Sequence, residues 1–189
     1  WERGEFVGAI VFSHGANNQI GSPYGLTQQQ VCELVRVAMR PHDCFVSQAL
    51  AIAIRTLRKS QPGLRLIVSY ADEGQGHHGC IYQATNWIYA GTNEGGEYRR
   101  VGGRIVHPRS IRSRGLDATQ FELVTGTRKH RYLYPLDAAM REQIAPLAQP
   151  YPKRTPAPEA LSEDALTFQV REGGADPTPA LHSPEAADA

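Results

Sequence analysis

The spacing of apolar and polar positions changes several times along the chain, and each change marks an element. FVGAIVF (6–12) is β-branched and bounded by turn signals, which predicts a buried strand. GANNQIGSPYG (15–25) is a Gly/Asn/Pro loop. VCELVRVAM (31–39) alternates, predicting a second strand with Cys32, Leu34, Arg36 and Ala38 on one face. An arginine in mid-strand needs a partner, water or a ligand. PHDCF (41–45) breaks the strand. In VSQALAIAIRTLRKS (46–60), Val46, Leu50, Ala53, Ile54 and Leu57 recur at helical spacing, with Ser47 or Asp43 placed to cap the start. LRLIVSY (64–70) is the next strand. A glycine-rich loop, a short helix around 79–86 and a strand from Trp87 to Ala90 follow. FELVTGTRKHRYLY (121–134) predicts two strands around a basic turn, and DAAMREQIAPLA (137–148) a final helix. Strand, helix, strand, then a further helix–strand step describe a βαβ-type unit in an α/β or α+β fold.

Length changes this picture little, since 189 residues suit one ordinary domain with a real core. Composition changes it more. From Lys153 the text is rich in Pro, Ala, Asp and Glu, with few large apolar residues to offset the ordering entropy. We therefore expect one folded domain over 1–150 and a disordered acidic tail over 151–189. Residues 155–189 hold seven acidic residues and one arginine, which leaves 19 basic and 12 acidic residues before them, a net of +7. The near-neutral whole hides a basic domain. Three cysteines with no CxxC pair argue against a disulfide framework or a four-thiolate zinc site and suit a reducing interior. No apolar run approaches the roughly 20 residues of a membrane span, and no signal-like start is present. A cytoplasmic protein is expected. The text enters a strand almost at once with no Met, so an N-terminal portion is expected to be missing.

ELVRVAM, the helix from Val46, LRLIVSYAD and GCIYQATNW follow the element order of the GNAT acyltransferase fold, a central mixed sheet flanked by helices. IYQATNW looks like a recurrent element of that superfamily. More narrowly, ELVRVAM, SYAD, QGHHGCIYQATNWIYAGT and KHRYLYPLD resemble the phage Mom family, over roughly residues 6–136. That resemblance implies a DNA-modification enzyme converting adenine to a methylcarbamoyl (acetamido) derivative, which shields phage DNA from restriction. It implies catalytic roles for Arg36, Asp72 and Tyr82 and a cofactor role for Ser47. Coenzyme A or acetyl-CoA is implied by the fold, with Val46, Ser47, Gln48 and Asn86 as its binding residues, although PHDCFVSQA stands where most GNAT proteins carry a glycine-rich turn. The family also uses a His and a Tyr nearer the N-terminus, for which no position is assigned.

Each assignment has a plainer competitor. The N–H groups and positive dipole end at Val46–Gln48 suit a pyrophosphate, yet Ser47 could simply cap its own helix. Tyr82 could be a core aromatic, or could protonate a departing thiolate as acyltransferase tyrosines do. Asp72 could cap the next turn, or accept from the exocyclic amine of a base. Arg36 could pair with Glu33 or Asp72, or hold a phosphate or a developing negative charge. His77, His78 and Cys80 lack a spaced third ligand, so no closed metal site is assigned, and an iron site assembled from distant residues stays open. YRRVGGRIVHPRSIRSRG (98–115) holds six arginines and no acid. Arg99, Arg100, Arg104, Arg109, Arg112 and Arg114, with Arg128, Lys129 and Arg131, are read as phosphate contacts to double-stranded DNA. The adenine would flip out, with Tyr24, Tyr70, Trp87 and Tyr89 as candidate stacking surfaces. Ordinary acyl transfer would leave an N-acetyl group rather than a carbamoylmethyl one. The alternatives are a conventional acetyl-CoA-dependent N-acetyltransferase acting on a protein or small amine, and a non-catalytic DNA-binding relative. The oligomeric state is open, a dimer included.

Overall fold

The structure is a computed structural model that describes residues 1–15 and 17–153. The tail expected over 151–189 lies outside the described residues from 154 onward. Among the described residues eight strands form two sheets. The larger is built from β1 (Gly8–Ser13), β2 (Val31–Met39), β3 (Leu66–Asp72), β4 (Ile88–Asn93) and β8 (Lys129–Pro135), in the order β1-β2-β3-β8-β4. The smaller comprises β5 (Glu97–Val101), β6 (Arg104–Val106) and β7 (Glu122–Thr125), in the order β6-β5-β7. Only β2 and β3 run parallel, as the crossover through α1 (Val46–Ser60) requires; every other pair is antiparallel. The result is the mixed α+β architecture that the order of periods implied.

Two apolar layers cover the large sheet. On one face Leu50 and Ile54 of α1, at the helical spacing seen in the sequence, pack with Cys32, Leu34, Ile67, Trp87 and Tyr132. On the other, Met140 and Ile144 of α4 (Ala138–Ile144) join Ile20, Tyr24 and Leu26 of the N-terminal loop against Val31, Val68 and Leu133. The strand LIVSYAD is buried on both faces, which explains its near-continuous apolar run.

Several local expectations needed correction. Alternation along β2 breaks at a β-bulge: Val11 pairs with Arg36 but the next residue, Phe12, pairs with Leu34. Val35 is the extra residue, so Val37 rather than Arg36 packs with Cys32 and Leu34, and Arg36 turns to the opposite face. Helix α1 starts at Val46 as expected, but neither Ser47 nor Asp43 caps it. Phe45 occupies the N-cap without a side-chain bond. The Glu2 carboxylate, over 40 residues away, instead accepts from the Asp43 and Cys44 amides at 2.9 and 3.1 Å. The helix expected at 79–86 is a single turn, α2 (Cys80–Gln83). The two strands read in 121–134 exist but belong to different sheets. The arginine-rich segment folds into β5, β6 and the five-residue α3 (Pro108–Arg112), joined by a turn at Gly102 and Gly103 whose φ values are 54° and 78°.

The chain enters and leaves the small sheet through a neck in which Gly95–Gly96 lies on Gly126, whose N–H donates to the Gly96 carbonyl at 2.8 Å. A Cβ on Gly95 would overlap the Gly126 carbonyl oxygen, whereas one on Gly96 would only touch the Tyr98 ring at 3.6 Å. Gly95→Ala should therefore cost about 1–3 kcal/mol through forced backbone movement. Gly96→Ala should stay within about 0.5 kcal/mol of the parent. Equilibrium denaturant unfolding of the two variants checks the difference, and equal midpoints would refute the close crossing.

Candidate functional site

Strands β2 and β3 pair only through Val31–Glu33 with Leu66–Val68, although both continue well beyond. Past Glu33 and Val68 their backbones no longer bond each other, and side chains fill the divergence. Ser69 is fully buried there and donates to the Leu34 carbonyl at 2.7 Å. Its oxygen lies 2.8 Å from the Tyr82 hydroxyl. Ser69 has one proton and gives it to Leu34, so the Tyr82 hydroxyl must donate in that pair. Tyr82 sits on α2, packed between the rings of Trp87 and Tyr132 at centroid distances of 5.0 and 4.8 Å. Burial pushes its phenol pKa above the ordinary value, only partly opposed by the Ser69 hydroxyl, so it stays protonated at neutral pH. The polar loop before it is held by Tyr132, whose hydroxyl donates to the His78 carbonyl at 2.7 Å, and Gly79 (φ 76°) passes against that ring, where no side chain would fit.

This relay carries an asymmetric prediction. Ser69→Ala strands the buried Tyr82 hydroxyl and should cost about 1–3 kcal/mol. Tyr82→Phe leaves Ser69 bonded to Leu34 and should cost about 1 kcal/mol or less. Thermal unfolding of both variants reads the order; the reverse order would overturn the donor assignment.

The opposite face of the same strands carries a different chemistry. Glu33, Tyr70, Asp72, Lys129 and Arg131 share it, as the register Tyr70–Arg131 and Asp72–Lys129 requires, and the bulge brings Arg36 to it. Asp72 caps the turn after β3, accepting from the Gly74 amide at 2.9 Å and from the Thr127 hydroxyl. The structure thus realises the capping role for Asp72 while keeping it at the end of the central strand. Tyr82 and Asp72 flank the divergence from opposite faces.

The expected stacking surfaces separate by burial. Trp87 and Tyr89 lie in the core, Tyr24 is buried where the N-terminal loop packs on the sheet, and Tyr70 is half-buried. The basic cluster at 128–131 does not form one surface. Arg128 makes a two-pronged pair with Glu73 at 2.9 and 3.1 Å, and Arg131 turns inward to donate to the Ala90 carbonyl at 2.9 Å. Lys129 is half-buried. In the small sheet Arg99 is a structural residue, its side chain only 16% exposed and 3.9 Å from Glu97. Arg100 pairs with Glu122 at 2.9 Å. Arg104, Arg109, Arg112 and Arg114 are exposed along the hairpin turn and α3.

The first turn of α1 has no side-chain cap, and Val46, Ser47 and the exposed Gln48 occupy it. A groove of about 570 Å³ runs along the same helix, lined by Gln48, Ala51, Ile52, Ile54, Arg55 and Tyr134. An uncapped helix start beside a half-apolar groove fits a phosphorylated, pantetheine-like chain. Asn86 is exposed, in a left-handed conformation with φ 60°. Among the described residues no three His, Cys, Asp or Glu side chains come close enough to hold a metal ion. His77 is exposed, and His78 faces His130 at 6.2 Å between rings. His130 is buried, its Nδ1 within 3.2 Å of the Tyr89 hydroxyl and 3.1 Å of Thr92, and burial lowers its pKa.

Sequence reasoning named Glu33 only as a possible partner of Arg36 and His130 only as part of the basic run, and it did not name Ser69. A serine inside LIVSYAD was a signal, because a buried hydroxyl must find a partner. So was the glutamate in VCELV. Among the described residues no helix is long and apolar enough to cross a membrane.

A sequence model of the Mom protein family matches residues 1–153. The protein "Methylcarbamoylase mom" of Escherichia phage Mu is 28% identical over 125 residues, covering 57% of this chain and 49% of the phage protein. The matched region therefore spans about half the length of that relative.

Proposed function

The chain belongs to the Mom protein family, and on that footing we propose that it modifies adenine in DNA, converting it to the N6-methylcarbamoyl derivative and shielding phage DNA from restriction. The family match over residues 1–153 carries this reading. The divergence of β2 and β3 supports it, because a donor and a base can approach it from opposite faces of the sheet.

On the α1 face, the first-turn amides of Val46 and Ser47 would receive the diphosphate of a coenzyme A thioester, and the groove lined by Gln48, Ala51 and Arg55 would take the rest of it. Asn86 extends this surface. When bound, that group supplies the activated carbon unit. Tyr82 stays protonated and holds a proton at the divergence, with Ser69 fixing its hydroxyl. Layers of Trp87, Tyr132 and Tyr89 keep water out. On the other face Asp72 and Arg36 flank the approach of a base drawn out of the duplex. The exposed Arg104, Arg109, Arg112 and Arg114 follow the phosphates, a role that does not choose sequence.

Nucleoside mass spectrometry of DNA from cells making the protein tests this directly. A new deoxyadenosine species carrying a carbamoylmethyl group is expected. A pool of unmodified deoxyadenosine, with folded protein present, would refute it. The uncapped start of α1 also suits a conventional N-acetyltransferase. Acetyl-CoA turnover that needs a small amine and ignores DNA would favour that second reading.

A further inference from the structure

Glu33 is a half-buried carboxylate at the start of the divergence, and among the described residues it has neither a hydrogen bond nor an ion pair. It occupies the last paired position of β2 before that strand leaves β3. The loop from β1 closes over it so tightly that a Cβ on Gly15, which has φ 75°, would meet its Oε2 at 2.7 Å. The groups that act on it or feel its charge are Lys129 from β8, Tyr70 from β3 and, through the sheet, Tyr82, while Arg131 and Tyr24 lie beside Tyr70. Lys129 is near enough to lower its pKa without pairing with it. A second polar group on this face is also unsatisfied: the Arg131 Nε is buried with no partner. Unmet donors and acceptors that share one half-buried face are costly unless a ligand completes them.

We propose that Glu33 and Lys129 read the edge of the extruded adenine, with Tyr70 against its ring. Glu33 accepts from the N6 amino group, and Lys129 donates to an adjacent ring nitrogen. Adenine offers a donor beside an acceptor on that edge, whereas guanine offers an oxygen acceptor at the same place. The pair therefore selects adenine and orients the nitrogen that is to be substituted. This assignment rests on the function proposed above.

Glu33 also has a stability signature that distinguishes a ligand role from a structural one. Burial raises its pKa above the ordinary carboxylate value. The folded state thus binds its proton more tightly than the unfolded chain does. Stability is unaffected below the unfolded pKa, falls as pH rises through the folded pKa, and stays reduced above it. Glu33→Gln should therefore leave the melting temperature unchanged or raise it at pH 7, with less effect near pH 4.

The test uses two nucleotides of equal charge, deoxyadenosine 5′-monophosphate and the purine deoxyriboside 5′-monophosphate that lacks the amino group. Titration calorimetry on the parent protein should show a roughly ten- to hundredfold preference for the adenine nucleotide, the range of one hydrogen bond to a charged group. Glu33→Gln should lose most of that preference, and Glu33→Asp should keep part of it. In the modification assay Glu33→Gln should lower kcat/KM with duplex affinity unchanged. Equal binding of both nucleotides by the parent, an undiminished preference in Glu33→Gln, or a melting temperature lowered by several degrees would each overturn the proposal. Nucleotide preference does not require turnover. A parent that prefers the adenine nucleotide but never modifies DNA would sink the proposed function and spare this inference.

Discussion

Replacing Tyr82 with Phe is expected to reduce adenine modification by about 10²–10⁴-fold, the usual range for removing a positioned proton donor. The fold should survive, because Ser69 keeps its bond to Leu34 and the ring still packs between Trp87 and Tyr132. Duplex affinity should not change either, since Tyr82 lies in the core and away from the exposed arginines. Asp72→Asn is the matching variant on the other face. An amide oxygen can still accept from the Gly74 amide, so the turn holds while the carboxylate charge is lost. Modified deoxyadenosine per unit time is measured for each variant, alongside duplex binding. A Tyr82→Phe protein that works at the parental rate would remove the phenol from the chemistry.

Changing Arg104, Arg109, Arg112 and Arg114 together to Gln should nearly abolish DNA binding at moderate salt. Each lost phosphate contact flattens the slope of log K against log salt by about 0.9, so four contacts flatten it by about 3.6. Near 0.1 M salt that corresponds to a loss of roughly 10³–10⁴ in affinity. The same change at Arg99 and Arg128 should act differently. Arg99 is enclosed in the small sheet and Arg128 is held by Glu73, so their loss should appear in stability rather than in the salt slope. Fluorescence anisotropy with a labelled duplex at several salt concentrations checks both. An unchanged slope in the fourfold variant would place the duplex on another surface.

Much of the fold was legible because it depends on local periodicity. The α1 helix was readable from Leu50, Ala53, Ile54 and Leu57, whose spacing gives one apolar stripe in any context. The buried run LRLIVSY announced a central strand because only a strand covered on both faces can be apolar throughout. SYAD and IYQATNW placed Asp72 and Tyr82 beside the glycine-rich loop, and the structure puts both at the divergence of β2 and β3.

What the sequence could not settle were pairings between distant residues. Alternation put Arg36 on the Cys32 face, but a bulge is set by the partner strand, and β1 decides it. Ser47 had the chemistry of a cap, yet α1 starts without one, and the nearby acceptor Glu2 binds the Asp43 and Cys44 amides of the preceding turn, where tertiary packing brings it. FELVTGTRKHRYLY looked like one hairpin, but the Gly126 neck sends its halves into separate sheets. The arginine count was visible at once. Which arginines face solvent was not, because the Glu73 and Glu122 partners of Arg128 and Arg100 come from other segments and the enclosure of Arg99 depends on the small sheet around it. The sequence by itself determined most elements of the large sheet, the excess of basic residues before 155 and the family. Tertiary structure alone decided that Ser69 orders Tyr82 and that Glu33 is half-buried without a hydrogen-bond or ion-pair partner, since burial and hydrogen bonding are properties of contacts that close only when remote segments meet.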